Sequence, residues 1–329
     1  MKKSVLAVLA LLCIIPSHTA SAQAYSGKLA HTYSIVARDP GTGEMGVAVQ
    51  SNWFSVGSLV SWAEAGVGAI ATQSFVNVSL GPRGLELLKQ GKSAQEVLDE
   101  LIEADEGRDV RQLAIVDAHG NAAAWTGSKC IPDAGHYTGD NFSVQANLML
   151  NDRVWPAMQR AFRNARGPLA ERMVATLEAA QETGGDIRGK QSAAILVVRG
   201  ESTGNIWEDR LIDLRIEDHA TPISEIRRLL SMYRAYEHMN AGDLAIEHND
   251  VEGALREYGA AEVMFPDNLE MKYWHAVSLA NAGRIGESLP IFRDIFSKDP
   301  NWHTLTGRLP EVDLLTVSDA DLRRILSQR

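Results

Sequence analysis

Cysteine is nearly absent from this 329-residue chain. There are two, and Cys13 sits in an apolar N-terminal run. Cys130 stands alone beyond that run, so no intramolecular disulfide can form there and the core must hold by packing. Basic charge is also short: 32 lysines and arginines face 42 acids, for a net charge of −10. A chain this acidic, without a basic stripe, lacks the electrostatic footprint of a nucleic-acid binder and any polybasic handle for a membrane surface. Past residue 24 no stretch offers 18 uninterrupted apolar residues, so no membrane span is expected. Metal motifs are missing: no H-E-x-x-H, no C-x-x-C, no Asp/Asn-rich calcium loop. The glycines form neither a Walker A loop nor a dinucleotide fingerprint. The expectation is a protein with no metal and no cofactor.

What is present begins with an export signal over residues 1–24. Lys2 and Lys3 form a positive start, Val5 to Ile15 is an apolar run too short to span a bilayer, and Ala22-Gln23-Ala24 offers a cleavage site. Ala20-Ser21-Ala22 is a second such site. Cys13 follows Leu12 rather than a small residue, which places it in the apolar run and not at a lipid-attachment site. The mature chain is expected to start at Tyr25, to be periplasmic or secreted, and to carry a net charge more negative by the two lysines removed. Its length of roughly 305 residues allows two domains.

The segment His31 to Ser51 reads as strand, tight Asp39-Pro40-Gly41-Thr42-Gly43 turn, and strand, with Thr32 at its head. Two short strands follow between Val56 and Gln73. A helix opens at Gly81 and runs through Lys89, and Ser93-Ala94-Gln95-Glu96 is a capping-box start for a second, with Val97, Leu98, Leu101 and Ile102 on one face. Gln112–Asp117 and Ala122–Trp125 flank a turn as a hairpin. Trp155–Arg163 and Leu169–Glu182 read as helices, Gln191–Arg199 as a buried strand, and Asp209–Glu217 as an alternating one. Blocks of strands separated by paired helices predict a layered α+β domain over 32–220 with mostly antiparallel sheets. A four-layer αββα sandwich fits, and a three-layer arrangement reads much the same.

Several stretches in this region resemble a bacterial family catalogued as domain of unknown function 1028. They are Thr32-Tyr33-Ser34-Ile35-Val36-Ala37; Ala65-Gly66-Val67-Gly68-Ala69 with Thr72-Gln73; Gly81-Pro82-Arg83-Gly84; Arg111-Gln112 with Ile115-Val116-Asp117; Thr126-Gly127-Ser128-Lys129-Cys130; Gln145-Ala146-Asn147; Gly185 through Ala194; and Leu214-Arg215 with Asp218-His219. The resemblance implies an N-terminal-nucleophile-hydrolase-like fold. In that chemistry a first-position Thr, Ser or Cys attacks an amide carbonyl, its own free α-amine serves as base, and polar donors hold the oxyanion. Members of the family commonly begin Met-Thr-Phe-Ser, which aligns Thr32 with the residue exposed when an initiator Met is removed. Here Tyr25 to His31 precede Thr32 as an N-terminal extension. The mechanism therefore requires a second cut, between His31 and Thr32.

Candidate catalytic residues are Thr32, Cys130, Gln145 and Asn147. A strand threonine chosen for β-propensity accounts for Thr32 equally well. Cys130 lies beside Lys129 with His136 six residues on, a pattern that can activate a thiol; a small core residue is the plainer reading. Gln145 and Asn147 share a strand face and can supply an oxyanion donor or form a bonded core pair. Ser34, Ser51, Asp186, Arg188 and Gln191 are candidate substrate-binding residues, with an internal Asp186–Arg188 ion pair as the alternative.

From Thr221-Pro222 onward (221–329) the composition turns helical and a 34-residue period appears. Pro266 pairs with Pro300, Val251 with Ile285, Leu255 with Leu289, and Tyr258 with Phe292. This resembles tetratricopeptide repeats, which implies a surface in residues 235–302 for a protein partner or for self-association. Pro290 is expected to shorten the first turn of its helix. The combined expectation is an amide or peptide-bond hydrolase acting on a small-molecule or peptide-like substrate, with a helical module. The alternatives are a non-catalytic binding protein on the same fold and a Cys130-dependent enzyme.

Overall fold

The computed structural model describes residues 28–328. The export signal and the Tyr25 start lie outside the described residues. In chain order the elements are β1 (Lys28–Ala30), β2 (Thr32–Arg38), β3 (Met45–Ser51), α1 (Gly57–Val60), β4 (Ser61–Glu64), β5 (Gly68–Val76), α2 (Leu80–Lys89), α3 (Ala94–Glu103), β6 (Arg111–Asp117), β7 (Ala122–Thr126), β8 (Gly135–Gly139) and β9 (Phe142–Ala146). Then come α4 (Val154–Asn164), α5 (Leu169–Glu182), β10 (Ser192–Val198), α6 (Ile206–Asp209), β11 (Arg210–Ile216), α7 (Pro222–Glu247), α8 (Val251–Met264), α9 (Leu269–Asn281), α10 (Ile285–Lys298), α11 (Asn301–Thr306) and α12 (Asp319–Leu326).

Alternation along β2 sets the layering. Successive side chains of a strand point to opposite faces. Tyr33, Ile35 and Ala37 join Met158, Leu169, Met173 and Leu177 of α4 and α5 on one side. Val36 faces the other way, with Val47 and Val49 of β3, onto Ala69, Ala71, Ala114 and Val116 of the second sheet. A third cluster puts Ile70, Leu113 and Ile115 against Leu85, Leu88, Val97 and Leu101 of α2 and α3. The two sheets thus pack face to face, each with helices on its outer face. Alanines dominate the second sheet's contribution between them, which brings the backbones close. On the helix side, Gly84 lets α2 approach: a Cβ there would meet Ile70 Cδ1 at 2.5 Å. The capping box at Ser93 and Glu96 starts α3 as its sequence indicates.

All strand pairs are antiparallel. The six-stranded sheet runs β11-β10-β3-β2-β9-β8; the five-stranded one runs β1-β5-β6-β7, with β4 also on β5. β4 and β1 share one edge of β5, β4 along Gly68–Ala71 and β1 along Ser74–Val76. Residues Lys28–Ala30 of the extension are therefore a strand of one sheet, and the chain crosses to the other sheet at His31.

The helical region grows out of the first layer without a break in packing. α7 begins at Pro222, next to the expected boundary, yet Ile223, Ile226 and Leu230 belong to the core of the six-stranded sheet. Further along, Ala235 and Met239 pack with Ala254, Tyr258, Ala261 and Met271 of α8 and α9. α8 and α10 each hold 14 residues and start at Val251 and Ile285. Pro290 does not shorten α10. It sits inside the helix on the exposed side, and the carbonyl it leaves without a donor belongs to exposed Gly286, within reach of water. No helix among the described residues is long and apolar enough to cross a membrane.

Candidate active site

A row of hydroxyls crosses the end of the six-stranded sheet. Thr32 of β2 lies opposite Ser51 of β3, which lies opposite Ser192 of β10. All three are fully buried. Ser192 Oγ donates to the Trp53 carbonyl and accepts from the Val56 N–H at 3.1 Å. Ser51 Oγ donates to the His31 carbonyl at 2.6 Å. Thr32 Oγ1 has no hydrogen-bond partner among the described residues. A buried hydroxyl left unpaired costs about 1–3 kcal/mol, and such an orphan asks for an explanation.

Beside it runs a band of buried amides between the sheets. Ser34 Oγ donates to Gln73 Oε1 at 2.7 Å and accepts from Gln145 Nε2 at 2.6 Å. Gln112 Oε1 accepts from Gln73 Nε2 at 2.6 Å and from Asn147 Nδ2 at 2.8 Å. Gln112 Nε2 donates to Thr126 Oγ1 at 2.8 Å and to the Ala146 carbonyl at 3.0 Å. The Thr32 carbonyl closes the band, accepting from the Asn147 N–H at 3.0 Å and lying 3.4 Å from Gln73 Nε2. Gln145 and Asn147 thus meet through Ser34, Gln73 and Gln112, the last two of which the sequence reading did not single out as functional. A Gln at matching, inward-facing positions of paired strands was the available signal.

The His31 carbonyl, one bond before Thr32, has a second donor. Arg188 Nη2 reaches it at 2.8 Å. That guanidinium donates to Asp186 along one edge, Nε to Oδ1 at 3.1 Å and Nη2 to Oδ2 at 2.7 Å. Asp186 Oδ2 also accepts from the Asn52 N–H at 3.1 Å. The His31 ring is tied down as well, with Nδ1 2.8 Å from Asn147 Oδ1 and its edge on Phe75, centroids 5.5 Å apart. Asn147 Oδ1 can only accept, so Nδ1 carries the proton. Burial pulls the imidazole pKa below its usual value; the Asn147 bond opposes this and the Arg188 charge adds to it. Next to Phe75, Ser74 has φ 73°, in the left-handed region, a strain of about 1–3 kcal/mol of the kind that gathers at working sites.

Asp186 and Arg188 form the ion pair, and of the two only Arg188 reaches the His31 carbonyl. Gln191 joins through its backbone, its N–H donating to the Ser51 carbonyl at 3.0 Å. Cys130 lies apart from the expected dyad. Its Sγ is 3.3 Å from the Arg111 carbonyl and 3.7 Å from Ser74 Oγ, and burial pushes the thiol pKa up, against the lowering expected of a cation-activated thiol. Lys129 is turned to Asp109 at 3.3 Å, and His136 Nδ1 to Thr126 Oγ1 at 2.8 Å. His219 Nδ1 accepts from the Thr221 N–H at 3.0 Å, at the entry to α7. No cluster of metal-ligating side chains occurs among the described residues.

The helical region holds a groove of about 530 Å³. Met239, Ile246, Trp274 and Val277 form its apolar lining, and Asp243, Glu247 and Glu270 its acidic one. Tyr258 and Tyr236 donate to Asp243 at 2.6 Å and Glu270 at 2.8 Å.

The sequence profile of the Family of unknown function (DUF1028) matches residues 32–226. The crystal structure of a protein of this family from Silicibacter pomeroyi is similar, with a TM-score of 0.55 at 31% identity over 61% of this chain and 88% of the other. Anbu, the ancestral beta-subunit, from Yersinia bercovieri aligns at a TM-score of 0.30 and 14% identity over 62% of this chain and 97% of the other. No curated protein matches. The matched profile begins at Thr32, takes in the whole amide band and ends in the first turns of α7: the chain belongs to the DUF1028 family.

Proposed function

We propose that this protein is an exported amide hydrolase of N-terminal-nucleophile type, in which Thr32 is the nucleophile once the His31–Thr32 bond has been cut. One observation carries the reading. Thr32 Oγ1 is buried and, among the described residues, unpaired at the end of a band in which Ser34, Gln73, Gln112, Gln145 and Asn147 all have partners. In the reaction Thr32 Oγ adds to the substrate carbonyl, and its proton passes through the freed α-amine to the leaving amine. Water then splits the acyl ester. The layered sheets with outer helices are read as the αββα sandwich of that class, and the amide band fixes the strand that bears the nucleophile. Neither Gln145 nor Asn147 touches the carbonyl before Thr32; each supports the strand instead.

The helical region is read as a short tetratricopeptide-like module. Its groove, lined by Trp274 and Val277 and by Asp243 and Glu270, supports binding of a protein partner or a second copy of the chain.

N-terminal sequencing with intact mass on protein recovered from its native compartment tests the catalytic reading. The expected start is Thr32, and Thr32→Ala should keep the upstream start and lose turnover. A uniform start at Tyr25 or Gln23 refutes the nucleophile assignment and leaves a binding role.

A further inference from the structure

Two donors already sit on the carbonyl that a Thr32 nucleophile would first attack. We infer that Ser51 and Arg188 polarise the reacting carbonyl, first in a self-cleavage of the His31–Thr32 bond and then in substrate. We further infer that residues 28–31 trace the path of an extended peptide substrate with a small residue followed by a flat polar one before the scissile bond. This rests on the nucleophile reading above.

Both donors already polarise this carbonyl before any attack: Ser51 Oγ and Arg188 Nη2 lie 2.6 and 2.8 Å from the His31 oxygen, the atom on which charge develops when its carbon is attacked. In the self-cleavage the C–O bond forms as Thr32 Oγ adds to the His31 carbonyl carbon. The π pair moves onto oxygen, where the hydroxyl and the guanidinium hold it. Collapse breaks the C–N bond, and the hydroxyl proton ends on the Thr32 nitrogen. Water then hydrolyses the ester, leaving a His31 carboxylate and a free Thr32 hydroxyl beneath its new amine. Only water is consumed. Asp186 positions Arg188 for this and touches no reacting atom.

The path follows from what β1 covers. β4 takes the edge of β5 up to Ala71, and β1 pairs Lys28, Leu29 and Ala30 with Val76, Phe75 and Ser74. Once the cut piece departs, Ser74 and Val76 lose their paired β1 residues while the Phe75 carbonyl keeps its Arg111 donor, which leaves a slot into which an extended peptide adds itself through backbone hydrogen bonds. Ala30 is completely buried, which selects a small residue there. His31 meets the Phe75 ring edge-on and donates to Asn147 Oδ1, which selects a flat side chain with a donor.

The test follows full-length purified chain by intact mass over time, as wild type, Thr32→Ala, Ser51→Ala, Arg188→Gln and Arg188→Lys. Folding is monitored by circular dichroism. Wild type should convert to a Thr32 start and Thr32→Ala should not. Ser51→Ala and Arg188→Gln should each slow conversion by roughly 100-fold or more, with Arg188→Lys between. Arg188 is partly exposed, so its variants remain informative if Ser51→Ala does not fold. Matured wild type is then given acetyl-Leu-Ala-His-aminomethylcoumarin beside the Leu-Trp-Glu analogue, with at least tenfold faster release expected from the first. If wild type cuts, Thr32→Ala does not, and the Arg188 variants cut at the wild-type rate, the donor assignment fails while the nucleophile stands. Equal rates on the two peptides overturn the path. Conversion of Thr32→Ala, or none in wild type, sinks the nucleophile reading and this inference with it.

Discussion

Two glutamines, equally buried, should answer the same substitution with opposite signs. Gln112 lies in the amide band with both ends engaged: Oε1 takes two donors, and Nε2 gives to Thr126 and Ala146. In Gln112→Leu the shape is nearly kept but Gln73 Nε2 and Asn147 Nδ2 lose their short acceptor. They retain only the Thr32 carbonyl, at 3.4 and 3.5 Å. The Ala146 carbonyl loses a side-chain donor too. Each buried group left wanting costs about 1–3 kcal/mol, so the loss should be about 4 kcal/mol, or roughly 8–16 °C in Tm at a rate of ~2–4 °C per kcal/mol. Gln50, opposite Tyr33 on the outer face of the same sheet, has neither amide atom bonded among the described residues. Gln50→Leu removes two unpaired polar atoms from an apolar layer and should raise stability by about 1–2 kcal/mol. Thermal melts at neutral pH, supported by urea midpoints, measure both. A Gln112→Leu protein within about 1 kcal/mol of wild type, or a Gln50→Leu protein that falls as far as Gln112→Leu, refutes the account of the band.

Three further outcomes are expected. His31 is buried with its pKa held below 6.5, so the unfolded chain binds the proton more readily. In the uncut Thr32→Ala chain its contribution is therefore full above about pH 6.5 and declines as pH falls from there toward the folded value; adding His31→Gln should flatten that part of a Tm-versus-pH curve, and an unchanged slope would count against it. Asp105 behaves in the opposite sense: burial alone would raise its pKa, but the Arg111 and Gly107 donors outweigh it and keep the carboxyl below 3.8. Its contribution is present above about pH 4 and fades as pH drops through the folded value, so Asp105→Asn should lose that acid limb and, by taking the carboxylate from buried Arg111 and leaving it the Phe75 carbonyl, about 3 kcal/mol at pH 7, read by urea titration at pH 7 and below pH 4. Gly46→Ala would set a Cβ 2.4 Å from the Leu196 carbonyl of the neighbouring strand. Backbone cannot step aside there, and a loss of about 2–3 kcal/mol is expected; a urea midpoint equal to wild type would contradict it.

Local signals made much of the fold legible. The Ser93 capping box, the hairpin around Ala118–Asn121 and the alternation in Asp209–Glu217 all act within a few residues, and each element formed where its signal lay. Edge strands were harder. Gly135-His136-Tyr137-Thr138-Gly139 is polar and bounded by glycines, so its strand character comes from pairing with β9 rather than from its own composition. Lys28–Ala30 is similar: three residues become a strand because β4 stops short on β5. At the site, Thr32, Ser51, Asp186 and Arg188 could be named from the sequence. That Ser51 and Arg188 meet on the carbonyl of His31 could not, because it joins residues 31, 51 and 188 through a long-range register. The sharpest miss was Gln112, whose neighbours Leu113 and Ile115 gave the strand without showing that the amide faces inward.

α7 has a mechanical consequence. Its 26 residues make a rod about 39 Å long at 1.5 Å per residue. One end is built into the core of the six-stranded sheet, and the other forms a wall of the acidic groove. Arg227 and Arg234 fasten the shaft to Glu178 and Glu171 of α5, each through two nitrogen–oxygen contacts. No glycine or internal proline interrupts it before Gly242, so there is no joint between the two regions. Whatever settles in the groove therefore has a fixed bearing on the six-stranded sheet, and any torque applied there is delivered to the helix–sheet interface behind β2, the strand that carries Thr32.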